Sequence, residues 1–263
     1  MFFKKKTPYE KEMAALLKKE RRFMNNRAKK RESFINRQLS KIVPKKLQST
    51  IDAAFAKAFG LIFEKGTKYI EKTYNKNGLE IDYMENRYID SLRDSKSSMR
   101  RFSKKAKAAG NVNLLLSGAA GVGMGILGVG IPDIPVFTAM VLKSIYEIAL
   151  DYGFEYETEK ERAFILWVIE GAVSYGERIE EVSDRIDLFI ETEKLPEGYS
   201  QNEAIADAAG TLSKELLYMK FVQGIPIVGA VGGFYDAVYM KRINEFANLK
   251  YRKRMLIKRG ERR

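Results

Sequence analysis

The sequence predicts an all-α protein, a multi-helix bundle with a central glycine-rich apolar helical pair. Three observations predict it. Apolar residues recur at three-and-four spacing along most of the 263 residues. Helix-capping signals and proline or glycine breakers separate these stretches. No period-two run is bounded by hairpin turns, so strands have no signature. An apolar content of 45% is enough for a real core at this length.

Taken in order, Thr7-Pro8-Tyr9-Glu10 joins an N-cap, a proline at the first helical position and a glutamate at the third. A basic helix is predicted from there to about Ile42. Pro44 opens a second helix, with Leu47, Ile51, Phe55, Phe59 and Ile62/Phe63 on one stripe, ended by Asn77-Gly78. A third carries Ile81, Met84, Tyr88, Leu92, Met99 and Phe102. Thr158-x-x-Glu161 and Ser200-x-x-Glu203 are capping boxes that start long helices toward Glu193 and Met219, with Pro196-Glu197-Gly198 as the turn between them. The domain reading is a basic helical extension over 1–42 and one helical domain over 43–263.

Val112 to Ile131 stands apart: twenty consecutive uncharged positions with six glycines, between the basic cluster Arg100 to Lys107 and Pro132-Asp133-Ile134-Pro135. That length spans a bilayer as a helix. Each interior glycine, however, costs about 0.8–1 kcal/mol relative to alanine, so a close-packed backbone partner or a broken membrane-surface hairpin is expected. Ser117, Gly121 and Gly125 fall at i, i+4, i+8, and Gly229, Gly233 and Ala237 repeat that spacing. Small-residue ladders of this kind let helix backbones approach closely. Gly-Ile-Pro precedes an apolar helix in both regions, at Gly130 and Gly224. The two ladders are expected to pack on each other.

Gly130-Ile-Pro-Asp-Ile-Pro135, Ser144 to Gly153, Gly224 to Gly233 with Asp236, and Lys250-Tyr-Arg-Lys-Arg-Met255 together resemble the bacterial EcsC family, over roughly Val43 to Arg259. That family takes its name from a gene associated with an ABC-type exporter. The resemblance therefore implies a membrane-protein partner of that class and brings no catalytic residues with it. More distantly, the apolar helix after Pro135 looks like the membrane-associated helical segments attached to some bacterial GTPases.

Composition narrows the chemistry. The absence of cysteine excludes disulfides, thiol nucleophiles and ordinary zinc sites, and the absence of histidine removes the commonest general base. Gly123 to Gly128 reads G-x-G-x-x-G with Glu147 downstream, but the flanking strands of a dinucleotide site are missing. No P-loop, nucleophile elbow or calcium loop occurs. No cofactor, no metal and no enzymatic activity are expected. Three acids stand out as candidates: Asp133, the one charge between Lys107 and Lys143; Glu147, on a stripe with Lys143 and Asp151; and Asp236 in the second apolar region. Capping explains Asp133, and a solvated stripe with a weak ion pair explains Glu147. Pairing of Asp133 with Asp236 across the ladders is the functional alternative.

The net charge of +13 is unevenly spread: +12 over residues 1–46, +5 over 47–107, −12 over 108–240 and +8 over 241–263. Basic ends imply an anionic partner. Arg100, Arg101, Lys104, Lys105 and Lys107 before the first apolar segment, and Arg252, Lys253 and Arg254 after the second, are placed to meet an anionic membrane surface. The basic density from Lys18 to Arg37 would equally suit nucleic acid, and a soluble helical domain with Val112 to Ile131 as core is a third reading. Met1 to Lys6 lacks a following apolar region, so no signal peptide is expected. The expected place of work is the cytoplasmic face of the membrane, peripheral or re-entrant, as a membrane-associated accessory protein.

Overall fold

The computed structural model describes residues 6–28, 43–92, 95, 97, 100–102, 133–222 and 233–261. Among these residues there are nine α-helices and no strand. They are α1 (Pro8–Ala28), α2 (Lys45–Leu61), α3 (Thr67–Glu71), α4 (Lys76–Leu92), α5 (Asp133–Asp151), α6 (Glu159–Val173), α7 (Gly176–Thr192), α8 (Gln201–Val222) and α9 (Gly233–Gly260). The all-α class is therefore correct. Ser117, Gly121, Gly125 and Gly229 lie outside the described residues, and the expected ladder pair with them.

The core forms around α6 instead. Every residue from Ala163 to Val173 is buried, the property of a helix enclosed on all sides. Helices α7, α8 and α9 pack around it, α2 covers α8 and α5, and α1 lies across α7 and α9. Helix α4 rests on α5 at the periphery.

Local signals set most helix starts. Thr7 N–H donates to Glu10 Oε2 at 2.7 Å and Glu10 N–H to Thr7 Oγ1 at 3.1 Å, a complete capping box. Thr158 and Ser200 each accept from the N–H three residues on. The turn Pro196 to Gly198 closes with Tyr199 N–H on the Pro196 carbonyl and Gly198 at φ +72°.

Three boundaries differ from expectation. The break after the second helix lies at Lys72–Asn75: Asn75 Oδ1 accepts from Gly78 N–H at 2.9 Å, so Asn77-Gly78 sits inside the start of α4 rather than ending a helix. Before it, Ile62–Gly66 forms a π-helical turn between α2 and α3. The helix predicted from Thr158 toward Glu193 is two helices, because Ser174 and Tyr175 are extended and Gly176 takes φ +57°. Finally, α1 belongs to the packed domain and not to an extension. It buries Leu16 and Phe23, whose ring stacks on Phe246 at 5.1 Å, while residues 29–42 lie outside the described residues.

Candidate functional site

Helix α4 carries its apolar stripe outward. Ile81, Met84, Tyr88 and Leu92 share one face by spacing, and each is 56–66% exposed. The opposite face holds Leu79, Tyr83, Asn86 and Asp90. Leu79 and Tyr83 pack against the core, Asn86 is buried, and Asp90 pairs with Arg259 at 2.8 Å. An amphipathic helix ordinarily turns its apolar stripe to the core; this one turns it to the surroundings. Arg100 and Arg101 follow a few residues later and are both exposed, Arg100 reaching Glu12 at 3.1 Å. Lys104, Lys105 and Lys107 lie outside the described residues.

The basic run of α9 is committed inward, which corrects its reading as a membrane contact. Arg252 is buried and pairs with Glu12 of α1. Lys253 bridges Glu20 and Asp187 at 3.2 and 2.8 Å. Arg254 pairs with Glu161 at 2.5 Å and stacks over Phe154 at 4.3 Å. Beside them Lys250, fully buried, meets Glu20 at 2.5 Å and Asp187 at 2.8 Å. The physical reason is chain-wide charge matching. Acids of the middle segment and of α1 fold onto the C-terminal cations, where a buried charge without a partner would cost several kcal/mol.

A different cationic cluster forms where α6 breaks into α7. Arg27, at the end of α1, is buried. Its Nε donates to the Ser174 carbonyl at 2.9 Å, and its guanidinium lies 4.2 Å from the centroid of the Tyr175 ring. Arg242 Nη1 donates to Tyr175 Oη at 3.0 Å and stands 3.6 Å from Glu215 Oε2. Tyr175 in turn donates to Glu215 Oε2 at 2.9 Å, and Tyr239 donates to the Glu215 carbonyl at 2.9 Å. Burial raises the Glu215 carboxyl above its usual range; burial and then the neighbouring Arg242 lower Arg27.

Two guanidinium groups thus share one carboxylate. The buried cations among the described residues are Arg27, Lys250, Arg252 and Arg254. The last three each meet a carboxylate at ion-pair distance, whereas Arg27 has none among the described residues, and its Nη2 is buried without a hydrogen-bond acceptor. Tyr175 is the N-cap residue of α7 and supplies no side-chain bond to that helix. Sequence reasoning missed this cluster because its members come from α1, α8, α9 and the α6–α7 break, with no local motif. The one signal within reach was an aromatic residue followed by glycine at the break.

Of the acids singled out, Asp133 opens α5 and Asp236 lies in the first turns of α9 beside Gly233 and Ala237, with the side chains of all but glycine outside the description. Glu147 is partly buried and stands 3.6 Å from Lys143, and burial raises its carboxyl above the usual range. The ion pair expected of the Lys143–Glu147 stripe is there, although it is not a solvated stripe: Asp151 at its end is buried. Among the described residues no group of acids is arranged to hold a metal ion, and no helix is long and apolar enough to cross a membrane.

Fold and surface together define an all-α domain wrapped around one buried helix, with an outward apolar helix at its edge. The chain belongs to the EcsC protein family, whose model matches residues 9–256. The match begins inside α1, in keeping with the packing of that helix into the domain. Neither the curated proteins nor the solved structures gave a match.

Proposed function

We propose that this chain is a membrane-associated helical accessory protein. It docks on the cytoplasmic face of a membrane through α4 and serves a membrane-protein partner of the exporter class, without a catalytic step of its own. The carrying observation is the outward stripe Ile81, Met84, Tyr88 and Leu92. Four large apolar side chains left in water on one helix face forgo on the order of 5 kcal/mol of burial, and contiguous apolar surface of this kind marks an interaction site. The bilayer is favoured as its occupant because the chain runs on from this helix through exposed Arg100 and Arg101 toward the uncharged stretch Val112 to Ile131. Amphipathic helices lie in the interfacial plane in this way, with nearby cations adding electrostatic attraction. The acids Glu80, Asp82 and Glu85 on α4 mean that the helix contributes apolar area and the arginines supply the attraction.

Flotation with vesicles of phosphatidylcholine and phosphatidylglycerol tests the reading. The full chain is expected to float, to keep part of its binding at high salt, and to lose that salt-resistant part when Met84 and Tyr88 are both replaced by serine. Undiminished flotation of the Met84→Ser, Tyr88→Ser protein would sink the assignment to α4. Absence of flotation alongside salt-sensitive binding to nucleic acid would sink the membrane reading altogether.

A further inference from the structure

We propose that Arg27, Arg242 and the N-terminus of α7 together form a binding site for a singly charged phosphodiester. The charge of the cluster sets the ligand's charge: two guanidinium groups against Glu215 leave one positive charge, and a phosphodiester monoanion neutralises it. The donors set its shape. Arg27 and Arg242 come from different helices and converge on Tyr175 from its ring face and its hydroxyl. Tyr175 begins the 17-residue α7 without capping it, so the first-turn N–H groups of that helix have no side-chain acceptor from their N-cap residue. A helix N-terminus with guanidinium groups beside it is a phosphate site in chemical kind, since the backbone N–H groups and the forked donors meet a tetrahedral anion from several directions. A planar carboxylate offers two oxygens to the same donors.

The independent sign is a buried guanidinium with no carboxylate at ion-pair distance: Arg27 Nη2 is buried without a hydrogen-bond acceptor, as are Arg252 Nε and Arg254 Nε, but those two side chains each pair with a glutamate. Every other buried cation among the described residues meets a carboxylate at ion-pair distance, and Arg27 meets none among them. Arg242, whose side chain keeps 21% exposure, brings the cluster to the surface. Glu215 lies toward the end of α8, and Tyr239 and Arg242 toward the start of α9. A phospholipid headgroup and a free phosphodiester share this chemistry; only the headgroup as the source rests on the membrane reading.

Calorimetric titration of the full chain with glycerophosphoglycerol, and flotation with phosphatidylcholine vesicles with and without phosphatidylglycerol, test the site and its source. Arg242→Gln and Arg27→Gln are each expected to weaken binding about tenfold or more, the worth of one charge-assisted hydrogen bond. Glu215→Gln, which raises the cluster's charge, is expected to tighten it. Should the Arg27 variant fail to fold, the opposite responses of the other two still decide. Binding of the soluble diester with this pattern supports the site, and the same pattern on phosphatidylglycerol vesicles alone supports it with the headgroup as ligand. If neither probe binds, or binding is the same in wild type, Arg242→Gln and Glu215→Gln, the proposal is overturned. Loss of flotation in the Met84→Ser, Tyr88→Ser protein with diester binding intact leaves this site standing. Loss of salt-resistant flotation in that protein, with no diester binding to wild type, would overturn this site alone and leave the α4 reading standing.

Discussion

The ring of Tyr83 lies directly on Gly153, so close that a β-carbon at Gly153 would stand 2.1 Å from Tyr83 Cζ. Tyr83 projects from the inward face of α4, and Gly153 follows the end of α5 at φ +77°. This contact locks the rotation of α4 about its own axis. With Tyr83 seated on bare backbone and its ring tilted against Phe102 at 5.8 Å, the stripe of Ile81, Met84, Tyr88 and Leu92 has only the outward direction left to it.

Gly153→Ala is therefore expected to be costly for two separate reasons. A left-handed backbone costs a residue with a β-carbon about 1–2 kcal/mol, and displacement of the Tyr83 ring adds an overpacking cost of similar size. Thermal or urea unfolding should show a loss of roughly 2–4 kcal/mol. Tyr83→Ala in the same chain should return the steric part and leave the backbone part. A variant as stable as wild type would mean that the ring is not held there.

Lys250, buried between Glu20 and Asp187, ties α1 and α7 to α9. Lys250→Met leaves two acids with only Lys253 between them, and is expected to destabilise the protein by about 3–5 kcal/mol. Replacing Glu20 by glutamine as well should recover part of that loss, since the remaining charges again match. Unfolding of both variants measures this; additive losses would show that the three groups are not coupled.

The helix starts were legible because their causes are local. Thr7–Glu10, Thr158–Glu161 and Ser200–Glu203 need only three residues of context. The stripe on α4 was legible too, but its direction was not. Periodicity reports that a helix has two faces, and the identity of the face that meets α5 depends on Tyr83 and Gly153, seventy positions apart. Arg252, Lys253 and Arg254 misled for the same reason. A basic run near the end of a chain has the composition of a surface patch, and only the folded chain brings Glu12, Glu20, Asp187 and Glu161 around to it. The Arg27 cluster had no periodicity or spacing at all to announce it.

Glu147 gives a pH dependence with a definite sign. Burial raises its folded-state carboxyl above the unfolded value of about 4.3. Over that window the folded state binds more protons than the unfolded one, so this group's contribution to stability falls as pH rises through it. Glu147→Gln removes the contribution. The variant should be more stable than wild type at pH 7 and indistinguishable from it near pH 4, in urea unfolding at both values. A variant less stable at pH 7 would mean that the pairing with Lys143 outweighs burial.

Glycines inside helices supply the sharpest contrast, because alanine at such a position has two opposing effects. It gains about 1 kcal/mol of helix propensity anywhere, and it loses whatever its β-carbon displaces. At Gly60 in α2 and Gly210 in α8 nothing stands within 4 Å of that carbon, so propensity wins and each alanine variant should be more stable by roughly 0.5–1 kcal/mol. At Gly171 in α6 the carbon would stand 2.7 Å from Phe246 Cε1 and 3.2 Å from Val182 Cγ1. The Phe246 ring cannot swing aside, because it is fully buried and stacked on Phe23. Overpacking of about 1–3 kcal/mol then outweighs propensity, and Gly171→Ala should be destabilised where the other two are stabilised. Three unfolding curves decide it: a stabilised Gly171→Ala would mean that α6 and α9 can move apart, and would remove the close approach that seats Phe246 against the buried central helix.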